Sequence, residues 1–279
     1  MNHSIRLWLG CWLCLVGCRA LPPQAIDVTR IYDSPRLIDD QPQIQRGEPR
    51  KVIDAVGWVW GIPSKLLLWD RRVDNHRISE QTEVALADYL EFNQLSSVRV
   101  RLNQYRPGED WRRLVRNQSV GAGWRYTFGT LSVLGETLIP GRVFGGDHFN
   151  PFTNTVHIYS DIPAIALHEG AHAKDFARRR WKGTYAAVYI LPIVPLYHES
   201  VASRDVVAYL EAYGTRDEQA AAQRILVPAY GTYAGNAGGY ALPRYSFPLY
   251  YGSVLTGHFW GRYQARQIMQ LPEATVPEL

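Results

Sequence analysis

From about residue 50 onward, the spacing of apolar and polar positions divides the chain into a strand-rich first part and a helical second part. Ser79 is placed to cap a helix running through Leu90. Val98, Val100 and Leu102 then alternate with Arg99 and Arg101, the period of a half-buried strand. Tyr126 to Val133 and Thr137 to Phe144 are rich in β-formers on either side of Gly135-Glu136, which predicts two further strands. Thr155 to Tyr159 predicts another, introduced by the Asn150-Pro151 turn. Past residue 160 the period lengthens. Ser160 or Asp161 as cap, with Pro163 in the first turn, predicts a helix from Ile162 to Arg179, and a second is expected from Glu199 to Tyr213. Strands followed by helices predict an α+β domain over 50–279, with a small mixed or antiparallel sheet placed before residue 160.

Two glycine stripes mark the tail, about 225–270. Gly231, Gly235 and Gly239 are four apart within the uncharged stretch Ile225 to Pro243. Ser253, Gly257, Gly261 and Ala265 repeat the spacing, and Tyr245 to Gly261 is again uncharged. Small residues at i, i+4 and i+8 form a smooth helical groove for a neighbouring backbone. Pro228, Asn236, Pro243 and His258 make these segments poor hydrocarbon spans, so a helical hairpin packed on the domain is expected. Ala186 to Leu196 is apolar but broken by Pro192 and Pro195, and is expected to be a hydrophobic loop lining a cleft or touching lipid.

Composition narrows the function. With 46% hydrophobic and 20% charged residues, the 279-residue chain can bury a real core and is not disordered. A net charge of +4 without a concentrated basic patch gives no reason to expect a nucleic-acid partner. All three cysteines, Cys11, Cys14 and Cys18, lie at the N-terminus, so a metal in the body of the chain must be held by His, Asp and Glu.

Leu7 to Gly17 is an apolar run too short to span a bilayer but suited to a signal-peptide core over 1–17. Leu15-Val16-Gly17-Cys18 resembles a bacterial lipobox. That resemblance implies cleavage before Cys18 and attachment of diacylglycerol to its sulfur, with a further amide-linked chain giving the two or more chains that stable anchoring needs. Arg19 to about Pro49 is polar and proline-dotted, and a tether over 18–49 is expected between anchor and body. The absence of aspartate at position 19 favours, within the same resemblance, the outer membrane over the inner. The implied location is the cell envelope, facing the periplasm or the exterior.

The chemistry concentrates in His168-Glu169-Gly170-Ala171-His172. Histidines at i and i+4 project from one face of a helix, one turn apart, and both imidazoles can reach one Zn²⁺. Glu169 beside them is placed to take a proton from metal-bound water and pass it to a leaving amine. The stretch resembles the zincin metallopeptidases, in which an edge strand lies along the substrate cleft and the next helix carries H-E-x-x-H. The metzincin extension is missing, because Asp175 and Arg178 stand where its glycine and third histidine belong. Glu199-Ser200-Val201-Ala202-Ser203-Arg204-Asp205 instead resembles the E-x-x-A-D stretch of gluzincins, which implies Glu199 as third ligand. Residues 199, 203, 206, 210 and 213 share a helical face whose Val206, Leu210 and Tyr213 mark it as buried.

Ser203 occupies the position of the family's usual histidine-orienting aspartate. Asp175 and Asp205 are therefore candidates for orienting a ligand. His198 is an alternative third ligand, though it points about 100° from Glu199. Gly214-Thr215-Arg216-Asp217 is similar to the start of the aspzincin G-T-x-D motif and makes Asp217 a weaker alternative. Tyr209, Tyr213 and His258 are the candidate transition-state donors.

Together these features predict a membrane-anchored zinc peptidase that cleaves a peptide or protein substrate. The competing expectation is a non-catalytic envelope lipoprotein with a structural or vestigial metal site that mediates assembly.

Overall fold

A computed structural model describes residues 35–271 of the protein. Four strands form its single described sheet: β1 (Ile44–Arg46), β2 (Arg99–Leu102), β3 (His148–Asn150) and β4 (Thr155–Ile158), in the order β1-β2-β4-β3. β1, β2 and β4 run parallel, while β3 is antiparallel to β4 and forms an edge. The sheet is therefore mixed and the fold α+β. Alternation along β2 and β4 sends Val100, Leu102, Val156 and Ile158 to one face and Arg99, Arg101, Thr155 and His157 to the other. Both faces are buried, so β2 is not the half-exposed strand that its arginines suggest.

The helices follow in chain order. α1 (Lys51–Trp60) and α2 (Ile62–Leu68) precede α3 (Glu80–Phe92), whose N-terminus Ser79 caps by accepting from the Thr82 amide. α4 (Pro107–Arg116) leads to a continuous helical stretch made of α5 (Ala122–Trp124), a π-helical turn (Arg125–Gly129) and α6 (Thr130–Leu138), and then to α7 (Gly141–Phe144). After the sheet come α8 (Pro163–Ala177), α9 (Lys182–Ala187), α10 (Val194–Tyr213), α11 (Arg216–Ala241) and α12 (Ser246–Gln270).

The apolar sheet face packs against α3 and α8 through Leu86, Leu90, Ala166 and Ala173. On its other side, α8 presents Leu167 and Ala171 to Val206 and Leu210 of α10 and to Ile225 and Leu226 of α11. The H-E-x-x-H helix is thus a central layer, held on both sides by apolar burial. Gly170 permits this, since a Cβ there would come within 3.0–3.1 Å of Tyr89 and Leu86.

Several sequence expectations are corrected. Residues 126–133 and most of 137–144 are helical rather than stranded. The threonines that look like β-formers bond their own helix: Thr127, Thr130 and Thr137 each donate a hydroxyl to the carbonyl four residues back. The tether does not extend to residue 49, because Ile44–Arg46 pairs with β2 and Leu37 is buried. Neither Ser160 nor Asp161 caps α8. Asp161 instead accepts from the Ser79 amide and from the hydroxyls of Ser79 and Thr82, while Ser160 accepts from the Asp74 amide. Part of the expected loop 186–196 is helical, and α10 begins at Val194, five residues before Glu199.

The glycine stripes of α11 and α12 meet in an antiparallel hairpin. A Cβ on Gly235 would lie 2.5 Å from Tyr250 Cα, and one on Gly261 would lie 2.3 Å from the Gln223 carbonyl. No helix among the described residues is long and apolar enough to cross a membrane.

Candidate metal centre

His168 and His172 project from α8 toward the N-terminal half of α10, where Glu199 points back at them. His168 Nε2 lies 2.9 Å from Glu199 Oε2, His172 Nε2 lies 3.4 Å from Glu199 Oε1, and the two Nε2 atoms are 3.1 Å apart. Side-chain exposure is 11% for His168, 12% for His172 and 5% for Glu199, so the cluster is nearly enclosed but retains an opening. Glu199 is buried, as its helical face implies, whereas Tyr213 at the end of that face is 64% exposed.

The donor set suits a cation. Two imidazole nitrogens 3.1 Å apart can hold only one proton between them, and the carboxylate beside them can only accept. Burial lowers the His172 pKa, but Glu199, Glu169 and Asp175 outweigh it and raise the value to about 9. Burial raises the Glu199 pKa, yet His172 and His168 hold it well below the usual carboxylate range. Glu199 thus draws positive charge to one point, whether a proton or a cation supplies it. Two imidazoles and one carboxylate are a donor set that can hold a divalent cation.

Glu169, also buried, lies on the same helix within electrostatic reach of His172. Ser203, one turn along α10 from Glu199, sets its Oγ 3.4 Å from His168 Nδ1. The carboxylates expected to orient a ligand are engaged elsewhere. Asp175 takes Arg179 at 2.5 Å and the Tyr185 hydroxyl at 2.5 Å. Asp205 takes Lys174 at 2.5 Å and the Tyr89 hydroxyl at 2.5 Å. His198 is buried and stacks on Tyr185 at 4.1 Å, apart from the cluster. Asp217 is exposed in the first turn of α11, where Thr215 and Glu218 form a capping box that accounts for the Gly-Thr-x-Asp pattern.

None of the expected transition-state donors contacts the cluster. Tyr209 packs edge-on to Tyr89, and Tyr213 packs against Phe92. His258 stacks on Trp69 at 3.9 Å, donates through Nε2 to the Leu67 carbonyl at 2.8 Å and accepts from Arg262 at Nδ1. Two other tyrosines occupy the neighbourhood. Tyr189, from the 3₁₀ turn Val188–Ile190, donates its hydroxyl to Glu199 Oε1 at 2.9 Å. Tyr233, from α11, lies beside Tyr189 within electrostatic reach of Glu199 and Glu169. Burial and these carboxylates push both phenols above their ordinary pKa, so both remain O–H donors at neutral pH. The apolar Ala186 to Leu196 segment hints at a cleft-lining role for the Tyr189 region, whereas no sequence signal distinguishes Tyr233.

No family model matches the chain, and neither any curated protein nor any solved structure does.

Proposed function

We propose that the protein is a gluzincin-like zinc peptidase, held in the bacterial cell envelope by acyl chains on Cys18. The observation carrying this reading is the convergence of His168 Nε2, His172 Nε2 and the Glu199 carboxylate on one point, with Glu169 on the same helix as the histidines. His168, His172 and Glu199 would hold the ion. When bound, zinc supplies Lewis acidity, which polarises a carbonyl and makes water a stronger acid. Glu169 accepts a proton from the attacking water and delivers it to the departing nitrogen. Tyr189 holds Glu199 in place through its hydrogen bond, and Tyr233, hydrogen-bonded to Tyr189, is a second phenol in the neighbourhood that a developing oxyanion would draw on. The antiparallel edge strand β3 packs against α8 through Phe149 and Phe176, so a substrate backbone could pair along its open side.

Metal analysis and peptide cleavage on the parent and Glu169→Gln test the proposal together. Both proteins should carry zinc at this site, and only the parent should cleave a mixed peptide library, with the variant slower by about 10²–10⁴-fold. Zinc in both with cleavage by neither would favour the non-catalytic envelope lipoprotein. A parent whose zinc content is unchanged by His172→Ala would overturn the metal assignment.

A further inference from the structure

A second histidine–carboxylate cluster lies on the opposite, polar face of the sheet. The register pairs His148 of edge strand β3 directly with His157 of β4, and their rings stack at 4.6 Å with 9° between planes. Glu136, from α6, approaches both rings. It lies 3.1 Å from His148 Nε2 through Oε1 and 3.9 Å from His157 Nε2 through Oε2. One nitrogen from each imidazole and one carboxylate oxygen fall within 4.8 Å of one another.

Hydrogen bonding within the chain leaves this cluster incomplete. His148 Nδ1 lies 2.9 Å from the Gly146 carbonyl, which can only accept, so Nδ1 carries the proton. The lone pair of Nε2 then faces a carboxylate oxygen, an arrangement satisfied only by a second proton or by a cation. A proton on His148 would form an ion pair with Glu136 but would leave two other atoms unserved. His157 is 4% exposed, and its Nε2 has no hydrogen-bond partner; Glu136 Oε2 is likewise buried and unpartnered. Such groups are costly to leave bare. A cation between them would engage all three side chains.

The surroundings suit an ion. Asn150 donates to Glu136 Oε1 at 2.6 Å and fixes the carboxylate in position. Arg101, the register partner of His157 on β2, already has Asp110 at 2.8 Å and Glu109 at 3.3 Å. His148, His157 and Glu136 line a cavity with Gln104, Asp110 and Tyr159, which provides room for water to complete a coordination sphere.

We propose that His148, His157 and Glu136 form a second binding site for a divalent first-row transition-metal ion, separate from the His168–His172–Glu199 cluster. Imidazole donors select ions of the zinc, cobalt and nickel type over calcium or magnesium. Bound there, the ion joins β3 to β4 and both to α6, so it clamps the edge strand proposed to receive substrate.

The test is metal stoichiometry rather than activity. Full-length protein is stripped with chelator and titrated with Co²⁺, with uptake read from its visible absorption and from bound metal after gel filtration. Glu136→Gln and His157→Ala should each bind one equivalent less than the parent. His172→Ala should also bind one less, and combining it with Glu136→Gln should remove two. Uptake by Glu136→Gln and His148→Ala equal to that of the parent would overturn the proposal. Because His157 is deep in the fold, Glu136→Gln and the more exposed His148→Ala are the deciding variants, with circular dichroism confirming their folding. If Glu136→Gln loses an equivalent and His172→Ala does not, the second site stands and the peptidase centre falls; the converse sinks only the second site.

Discussion

Ser203 faces His168 Nδ1 at 3.4 Å, a long contact from a neutral hydroxyl where a short bond from a carboxylate would orient the ring more firmly. Ser203→Ala should therefore weaken zinc binding by less than about tenfold, whereas loss of a well-formed partner costs about 10–100-fold. Ser203→Asp should tighten binding, and competition with a chromophoric chelator measures both. His172 sets the pH dependence. Its folded pKa of about 9 lies above the roughly 6.5 of an ordinary histidine. In metal-free protein the imidazolium thus contributes stability that is fully present below about pH 6.5 and is lost as pH rises through about 9. Zinc must displace that proton, so affinity should climb with pH toward about 9, by up to about tenfold per unit. Calorimetry of Glu136→Gln, which silences the second proposed site, in two buffers of different ionisation enthalpy should detect close to one released proton at pH 7.5; none would contradict a protonated His172.

At the scale of elements, the glycine hairpin gives a sharp contrast. Replacing glycine by alanine inside a helix ordinarily stabilises by about 0.5–1 kcal/mol. Gly238→Ala should do so, because its Cβ would meet Leu249 at an ordinary 3.4 Å. Gly261→Ala should instead destabilise by about 1–3 kcal/mol, because its Cβ would sit 2.3 Å from the Gln223 carbonyl and force the helices apart. Thermal melts of the two variants should move in opposite directions. The hairpin is legible in sequence because its packing is periodic along each helix, and His168, Glu169 and His172 are legible because one helix holds all three. Residues 126–144 read as strands because β-propensity counts threonine side chains without seeing the carbonyls they bond. Tyr189 and Tyr233 reach Glu199 only through packing of distant segments. The cluster of Glu136, His148 and His157 depends on strand register and on a helix that the sequence pattern assigns to the sheet.

For the molecule as a whole, metal chemistry and membrane attachment are proposed for parts of the chain that share no residue. Cys18, the proposed acylation site, lies outside the described residues, and both metal clusters use only histidine and glutamate. No described helix is long and apolar enough to cross a bilayer, and the attachment proposed is through acyl chains on Cys18. Trp60, Trp181, Ile190 and Ile193 are exposed and could add surface contact, but scattered side chains of this kind do not replace two buried acyl chains. In a bacterial host that processes lipoproteins, the parent should sediment with membranes, resist a high-salt wash and dissolve in detergent. Cys18→Ala should move to the soluble fraction and lose labelling by a fatty-acid analogue, yet keep the parent's zinc content and melting temperature. Continued acylation of that variant would rule out Cys18 as the anchor. Loss of zinc on the same substitution would show that attachment and metal binding are coupled, contrary to ligand sets that contain no thiol.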